Sequence, residues 1–215
     1  MLQQWEFDSV FEAVESFKEG GMVIIVDDMS RENEGDLVMA AEFATPKQIA
    51  FMIHHTSGIL CCPLLPSRAS VLNLPLMVKS NTEMFGTQFT VSVDHMQTTT
   101  GISAKERCLT FQRLAALDAN QNEFHRPGHV FPLIYKPGGV LKRNGHTEAS
   151  VDMCLLSGLT PCAVISEIVL PNGEVARRPD LLTFGKQHNL KIISINDLKK
   201  VIQANVDEGK EWFFE

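Results

Sequence analysis

The chain has 215 residues, with 19 Lys and Arg against 26 Asp and Glu, which gives a formal net charge of −7. This balance argues against nucleic acid or an anionic membrane as the main partner, because both require a basic surface. No apolar stretch approaches the roughly 18 to 20 residues that span a bilayer, and the N-terminus lacks the features of a secretory signal. We therefore expect a cytoplasmic protein in which residues 1–215 form a single domain, since domains hold about 150 residues.

Six helix starts are indicated by residues that accept orphan backbone amides or suit a first helical turn. They are Ser9, Thr45, Ser103, Thr147, Pro179 and Ser194. Short apolar runs alternate with them, at residues 22–26, 37–41, 59–62, 89–94, 163–169 and 191–195. Because helices and strands are interleaved, the order predicts an α/β (α+β) fold, a layered α/β/α sandwich around a mixed sheet. The alternation over residues 87–94 is typical of an antiparallel strand.

The cysteines, at positions 61, 62, 108, 154 and 162, are odd in number and form no CxxC pair. In a chain of this size they are predicted to be reduced and mostly buried thiols, and no structural zinc site is expected. A minor alternative is that Cys61 or Cys62 lines a functional site.

Residues 27–36 place five acids within ten residues. A solvated acidic loop is the simpler interpretation of such a run. However, this loop joins two apolar strands, so its carboxylates are predicted to lie at a sheet end, where ligands often bind. Arg31 is suited to hold a phosphate or a carboxylate there. Sparse carboxylates beside an open site favour Mg²⁺ or Mn²⁺.

Residues 143–148 form a second cluster of interest. Gly145 permits a close backbone approach, and Thr147 is predicted to cap a helix whose free amides favour an anion such as phosphate. His146 stands immediately before that helix, and Arg143 adds a cation. The alternative is a loop histidine beside a routine cap.

Two further positions suggest proton transfer. Residues 126–133 are predicted to form a rigid Pro/Gly turn that presents His129, although a simple packing turn fits equally well. Glu167 is an acid inside an apolar strand, so it is either paired structurally or poised as a general acid or base.

Residues 98–103 combine three threonines, a glycine and a serine ahead of a capped helix. They are a candidate for a second anion site, in which Thr100 and Ser103 supply hydroxyls. Helix capping alone explains Ser103 equally well.

Taken together, residues 27–36, 100–103, 126–133 and 145–149 closely resemble the motifs of the 3,4-dihydroxy-2-butanone 4-phosphate synthase family. The resemblance extends in order from about residue 9 to residue 202. It implies a lyase of riboflavin biosynthesis that depends on Mg²⁺ or Mn²⁺. Such an enzyme converts D-ribulose 5-phosphate into L-3,4-dihydroxy-2-butanone 4-phosphate and formate. Because the chain ends at Glu215, we expect the form that lacks a fused second enzyme.

The resemblance also implies roles for individual residues. Glu32 and His146 are the expected metal ligands, and His129 and Glu167 fall on the two positions essential for activity. The expected substrate contacts are Arg31, Glu32, Asp36, Arg143, Asn144, Gly145, His146, Thr147 and Glu167. The family's enzymes are homodimers whose sites lie near the subunit interface, where Thr100 and Ser103 would help to bind the phosphate.

Elementary chemistry is consistent with this resemblance. Removing a proton beside a ketone creates negative charge that a divalent cation stabilises, and releasing a one-carbon acid requires further proton transfers. Asp36, Glu167 and His129 are candidates for those transfers. We also hypothesise that residues 27–36 close over the substrate, with Gly35 as the pivot.

The family's pattern is not matched at every position. Met29 and Ser30 replace acids often found there, and Glu106 stands where Asp is usual. The rival hypotheses are a metal-dependent sugar-phosphate isomerase or aldolase, and an inactive sugar-phosphate-binding module. Formate release separates the synthase from all of them.

Overall fold

The computed structural model describes residues 7–209. Within them, one sheet is formed by β1 (Val23–Val26), β2 (Gly35–Ala40), β3 (Cys61–Leu64), β4 (Val93–His95), β5 (Phe124–Ile134), β6 (Ala163–Glu167) and β7 (Lys191–Ser194). The strand order across the sheet is β4-β5-β3-β6-β2-β1-β7. β1 runs parallel to β7 and β3 runs parallel to β5, whereas the other neighbours are antiparallel. The predicted mixed sheet is therefore confirmed.

Helices cover both faces of this sheet. They are α1 (Val10–Lys18), α2 (Pro46–His55), α3 (Pro66–Val71), α4 (Ala104–Ala115), α5 (His146–Leu156), α6 (Arg178–His188) and α7 (Ile195–Asp207). Ile24 and Val26 of β1 enter a core shared with α2, α3, α4 and α6. Val23 and Ile25 enter a second core shared with α1, α5 and α7. Because successive strand residues point to opposite faces, the sheet lies between two helical layers, as the α/β/α prediction requires.

Four of the predicted helix starts are N-caps in the structure. The hydroxyls of Ser9, Thr45, Ser103 and Ser194 each accept the backbone amide three residues on. These caps satisfy donors that have no partner inside the helix, which explains why the sequence alone locates them.

Two predicted starts are wrong by one or two residues. Thr147 is not an N-cap, because the amide of Ala149 already donates to the carbonyl of Gly145, and α5 begins at His146. The helix predicted to begin at Pro179 begins at Arg178. It starts there because the Asp180 carboxylate accepts the backbone amide of Arg177, at 3.0 Å.

The turn predicted at residues 126–133 is also wrong, since these residues lie inside strand β5. A side chain at Gly128 would meet the backbone of Val93, with the Cβ only 2.0 Å from the Val93 carbonyl carbon. Gly128 is therefore needed for the close approach of β4 and β5 and does not form a turn.

The cysteines occupy the interior of the domain. All five are buried and free of disulfide bonds, as predicted. Between residues 7 and 209, no helix combines the length and apolar character needed to cross a membrane.

A buried carboxyl joins α5 to the segment that follows β5. Asp152 accepts hydrogen bonds from the Tyr135 hydroxyl at 2.9 Å and from the Val140 amide at 2.8 Å. Burial raises the pKa of Asp152 to about 7, although both hydrogen bonds favour the charged form. The folded protein therefore holds a proton on Asp152 under mildly acidic conditions in which the unfolded chain releases it.

This shifted pKa predicts that Asp152 destabilises the fold as the pH rises. Because the folded pKa lies above the unfolded value, its contribution to stability is greatest below about pH 4 and is lost as pH rises through about 7. The difference in free energy of unfolding, Asp152→Asn minus wild type, should therefore increase by up to about 4 kcal/mol between pH 4 and pH 8. An Asn side chain can still accept from Val140 and donate to Tyr135.

Urea unfolding at several pH values measures this difference. Asp118→Asn is the control, since that side chain is 80% exposed. A difference between Asp152→Asn and wild type that does not change with pH would contradict the assignment.

Candidate active site

The acidic residues 27–36 connect β1 to β2 at one end of the sheet. β2 pairs with β6 in a register that places Asp36 directly opposite Glu167. The loop therefore lies at a sheet end, as predicted, and the register adds Glu167, whose position beside Asp36 was not predicted. Two acids from distant parts of the chain are therefore neighbours.

Asp27 organises the loop from the inside. Its side chain is fully buried, and its two oxygens accept the backbone amides of Glu32 and Glu34, each at 2.9 Å. The guanidinium of Arg31 also donates to Asp27, at 3.1 Å, and contacts the Glu32 carboxylate. The loop is thus fixed by a buried acceptor and differs from a solvated acidic run.

His146 enters the same space from the first turn of α5. Its Nε2 lies 3.1 Å from the carbonyl oxygen of Ile25. Its Nδ1 lies 3.7 Å from Oε2 of Glu32 and 3.8 Å from Oδ1 of Asp36. A hydrogen bond from Nε2 to the carbonyl leaves Nδ1 facing the carboxylates, where it can serve as a ligand atom once its proton is displaced by a cation.

These side chains fit a divalent cation. One ligand atom each from Asp27, Glu32 and His146 lie within 4.8 Å of one another, and within residues 7–209 no other group of three such residues does so. In addition, Oδ1 of Asp36 is buried without a hydrogen-bond partner. An unpaired buried carboxylate oxygen is costly, so a cation at this place would satisfy it.

The crowding of charge shifts the pKa values of the group. Burial raises the pKa of Asp36 to about 8, and the carboxylates of Glu167 and Glu32 add to this effect. Burial opposes the charge on His146, but Asp36, Glu32 and Asp27 outweigh it and raise the pKa of His146 to about 9. Groups with such shifts are suited to hold and transfer protons near neutral pH.

A cavity of about 190 Å³ opens onto this group. Its lining combines charged residues with an apolar wall, and consists of Arg31, Glu32, Asp36, Cys61, Glu83, Thr87, Phe89, Leu133, Arg143, His146, Thr147, Ile165 and Glu167. Seven of the residues predicted from sequence to form the site line this one cavity. Cys61, the minor alternative, lines it as well.

The predicted phosphate-binding segment is only partly directed at the cavity. Arg143 donates to the Glu148 carboxylate at 2.6 Å and to the Thr87 hydroxyl at 2.8 Å. Asn144 is exposed and accepts a hydrogen bond from Lys199. Gly145 is the N-cap of α5, and neither Asn144 nor Gly145 is among the cavity-lining residues.

A second group of predicted residues lies apart from this cavity. His129 is on β5, which is separated from β6 by β3. Its Nδ1 lies 2.7 Å from Oδ2 of Asp94, and its backbone amide donates to Oδ1 at 2.8 Å.

A side chain at Gly101 would collide with the Asp94 carboxylate, so residues 100–103 pack beside this pair. Thr100 and Ser103 both donate to Glu106 and do not line the cavity.

Sequence reasoning missed two residues that organise these groups. Asp94 contacts Nδ1 of His129 and so fixes the ring, while 44% of the His129 side chain stays exposed. The only sequence signal of Asp94 is an acid between Val93 and His95 at a strand end. Asp27 was recognised as part of an acidic run but not as its buried centre, although it is the first acid after an apolar strand.

A group of acids of this kind, with a histidine placed where it could bind a cation, is typical of the active site of an acid–base enzyme. The sequence profile of the family described as 3,4-dihydroxy-2-butanone 4-phosphate synthase matches residues 11–201. The chain therefore belongs to the 3,4-dihydroxy-2-butanone 4-phosphate synthase family, as its motifs predicted.

Curated relatives share about half of the residues. The riboflavin biosynthesis protein RibBA of Aquifex aeolicus is 53% identical over 201 residues, which cover 92% of this chain and 50% of that protein. The monofunctional riboflavin biosynthesis protein RIBA 2 of Arabidopsis thaliana, a chloroplastic protein, is 51% identical over 89% of this chain and 41% of its own length. The chain spans half or less of the length of these relatives.

Solved structures show the same fold. A crystal structure of 3,4-dihydroxy-2-butanone 4-phosphate synthase with two magnesium ions has a TM-score of 0.88 at 44% identity, covering 95% of this chain and all of the other. RibBX of A. baumannii, a two-domain 3,4-dihydroxy-2-butanone 4-phosphate synthase, has a TM-score of 0.86 at 46% identity, covering 89% of this chain and 56% of that one.

Proposed function

We propose that this chain converts D-ribulose 5-phosphate into L-3,4-dihydroxy-2-butanone 4-phosphate and formate in riboflavin biosynthesis. The observation that carries the proposal is the gathering of Glu32, Asp36, His146 and Glu167 around one cavity, in a chain whose family match covers residues 11–201. The names of its relatives place them in the same pathway.

We assign Glu32 and His146 as the residues that hold a divalent cation, Mg²⁺ or Mn²⁺. When bound, such a cation acts as a Lewis acid that stabilises negative charge on adjacent substrate oxygens. Both oxygens of Asp27 already accept loop amides, so we assign Asp27 to loop organisation. Asp36 is placed to complete the charge balance, because its Oδ1 has no hydrogen-bond partner of its own.

The protein side chains supply the proton transfers. The atoms of the two products sum to those of the substrate, so the reaction needs proton movement and rearrangement of carbon bonds without an added oxidant. Asp36 and Glu167 face each other across β2 and β6, and both line the cavity. We assign them to remove and return protons beside the substrate carbonyl, for which the raised pKa of Asp36 suits it.

The phosphate is assigned to the entrance formed by Arg143, Thr147 and the first turn of α5. Backbone amides at a helix start favour an anion, and Arg143 adds a positive charge. In the absence of substrate, the guanidinium of Arg143 donates to Glu148 and Thr87. A phosphate would therefore compete for this guanidinium or bind beside it.

We further propose that the functional unit is a homodimer. His129, Thr100 and Ser103 lie outside the cavity of their own chain. Exposed apolar side chains occur in segments next to β3, β4 and α4, namely Ile59 (53% exposed), Met96 (53%) and Ile102 (49%). A two-fold interface on this surface would bring the His129 group of one chain towards the acidic loop of its partner. We also propose a cytoplasmic location.

Product analysis tests the proposed reaction. Purified protein is incubated with ribulose 5-phosphate and Mg²⁺, and the products are identified by NMR. Formate together with a four-carbon phosphate supports the proposal. A pentose phosphate isomer would instead indicate an isomerase, and aldol fragments would indicate an aldolase. Substrate that is bound but unchanged would indicate a binding module.

A further inference from the structure

The acidic loop is held from outside as well as from inside. Arg177, the N-cap residue of α6, donates through Nη1 to the carbonyl oxygens of Glu32 and Asn33, both at 2.8 Å. Its neighbour Arg178 donates through Nη2 to the carbonyl oxygen of Asp27 at 2.9 Å. The loop amides point inward to the Asp27 carboxylate, while these three carbonyls point outward to α6.

The start of helix α6, which carries these two arginines, is fixed by a capping bond and by a buried side chain. The Asp180 carboxylate accepts the backbone amide of Arg177 and fixes the start of the helix. One turn further on, Leu181 is fully buried and lies against Gly35, where an added Cβ would be 2.6 Å from Leu181 Cδ1. The end of the acidic loop therefore rests directly on the helix that carries Arg177.

We infer that Arg177 is a positioning residue for the cation-binding carboxylate of Glu32. A single guanidinium nitrogen of Arg177 bridges the carbonyl oxygens of Glu32 and Asn33. It therefore fixes the peptide group that follows Glu32. Losing the bridge frees that peptide to rotate, which moves the Glu32 carboxylate relative to His146. The inference rests on the proposed function in one respect, namely that Glu32 binds the cation.

Charge supports the same assignment. Five acids within residues 27–36 repel one another, and Nη1 of Arg177 lies 3.8 Å from a carboxylate oxygen of Glu34. Arg177 thus offsets this repulsion from the solvent side. Its side chain is 47% exposed, so its replacement leaves the apolar cores intact.

Mn²⁺ binding to the metal-free protein tests the inference without any reaction. Free Mn²⁺ is measured by EPR during titration of the wild type, Arg177→Ala, Arg177→Lys and the control Lys186→Ala, which alters an exposed residue of the same helix. Hydrogen exchange of the Glu32 and Glu34 amides is measured on the same proteins. Arg177→Ala should bind Mn²⁺ about tenfold more weakly, as expected for loss of a group that orients a ligand.

In the same variant, both amides should exchange at least about tenfold faster, because a loop no longer held at its carbonyls opens away from the Asp27 carboxylate more often. Arg177→Lys should be intermediate, since its ammonium keeps the positive charge and can donate, but it does not reach as far as the guanidinium Nη1 that bridges the two carbonyls. Lys186→Ala should behave as wild type.

A folded Arg177→Ala that keeps wild-type Mn²⁺ affinity overturns the inference, whether or not its amides exchange faster. If the wild type makes no formate yet Arg177→Ala weakens Mn²⁺ binding, the proposed reaction fails and the positioning role stands.

Discussion

Replacing Glu32 by Gln should reduce formate release by roughly 10³-fold or more, because charge stabilisation by a cation supplies several kcal/mol to such a reaction. The amide keeps the size of the side chain but loses the negative charge that holds the cation beside His146. His146→Ala should have a similar effect, since it removes the other assigned ligand. Formate release under saturating substrate and Mg²⁺ is the measurement.

The fold should survive the Glu32→Gln change. Glu32 is partly exposed at the cavity, and its backbone contacts with Asp27 and Arg177 do not involve its carboxylate. The thermal unfolding midpoint should therefore stay close to that of the wild type. Glu174→Gln, at an exposed position remote from the cavity, is the matched control and should retain full activity. A Glu32→Gln protein with normal, metal-dependent formate release would refute the ligand assignment.

A heterodimer of two inactive variants should recover about half of the wild-type activity. In a dimer of Glu32→Gln with His129→Gln, one site receives both substitutions and the other receives neither, provided that His129 acts across the interface. The separation of His129 from the cavity of its own chain is the reason for this expectation. Co-expression with two different tags and sequential purification gives the heterodimer free of both homodimers.

The two homodimers are the controls for this experiment and should both be inactive. If His129 instead served its own chain, every site of the heterodimer would carry one substitution, and no activity would return. A monomeric protein that is fully active would contradict the dimer proposal directly.

Local features of this fold were predictable from sequence because their causes are local. Four helix starts can be located from the sequence because the capping hydroxyl accepts an amide only three residues away, as at Ser9, Thr45, Ser103 and Ser194. The acidic loop was identifiable for a similar reason, since five acids stand between two apolar runs. The pairing of Asp36 with Glu167 is a different matter, because it depends on the register between β2 and β6.

Features that depend on distant contacts were not predictable in this way. The pairing of Asp94 with His129 requires the β4–β5 register, and Gly128 suggested a turn because its close contact with Val93 is invisible in the sequence. The role of Arg177 depends on the packing of α6 beneath the loop, which no short motif encodes. Strand order is likewise a non-local property.

The hypothesis that residues 27–36 close over the substrate stays a prediction. The structure shows that such a movement would have to break the bonds of Arg177 and Arg178 to the loop carbonyls, or carry α6 along with the loop. Amide exchange of residues 27–36 that does not change on adding a substrate analogue and metal would end the hypothesis.

The proposed reaction is tested most directly by the amount of formate released per ribulose 5-phosphate consumed, measured before EDTA addition, after EDTA addition, and after Mg²⁺ is restored. We expect one formate per pentulose. EDTA should stop both formate release and pentulose consumption, and Mg²⁺ should restore both. Consumption of the pentulose without formate, or formate release that continues at full rate in EDTA, would contradict it.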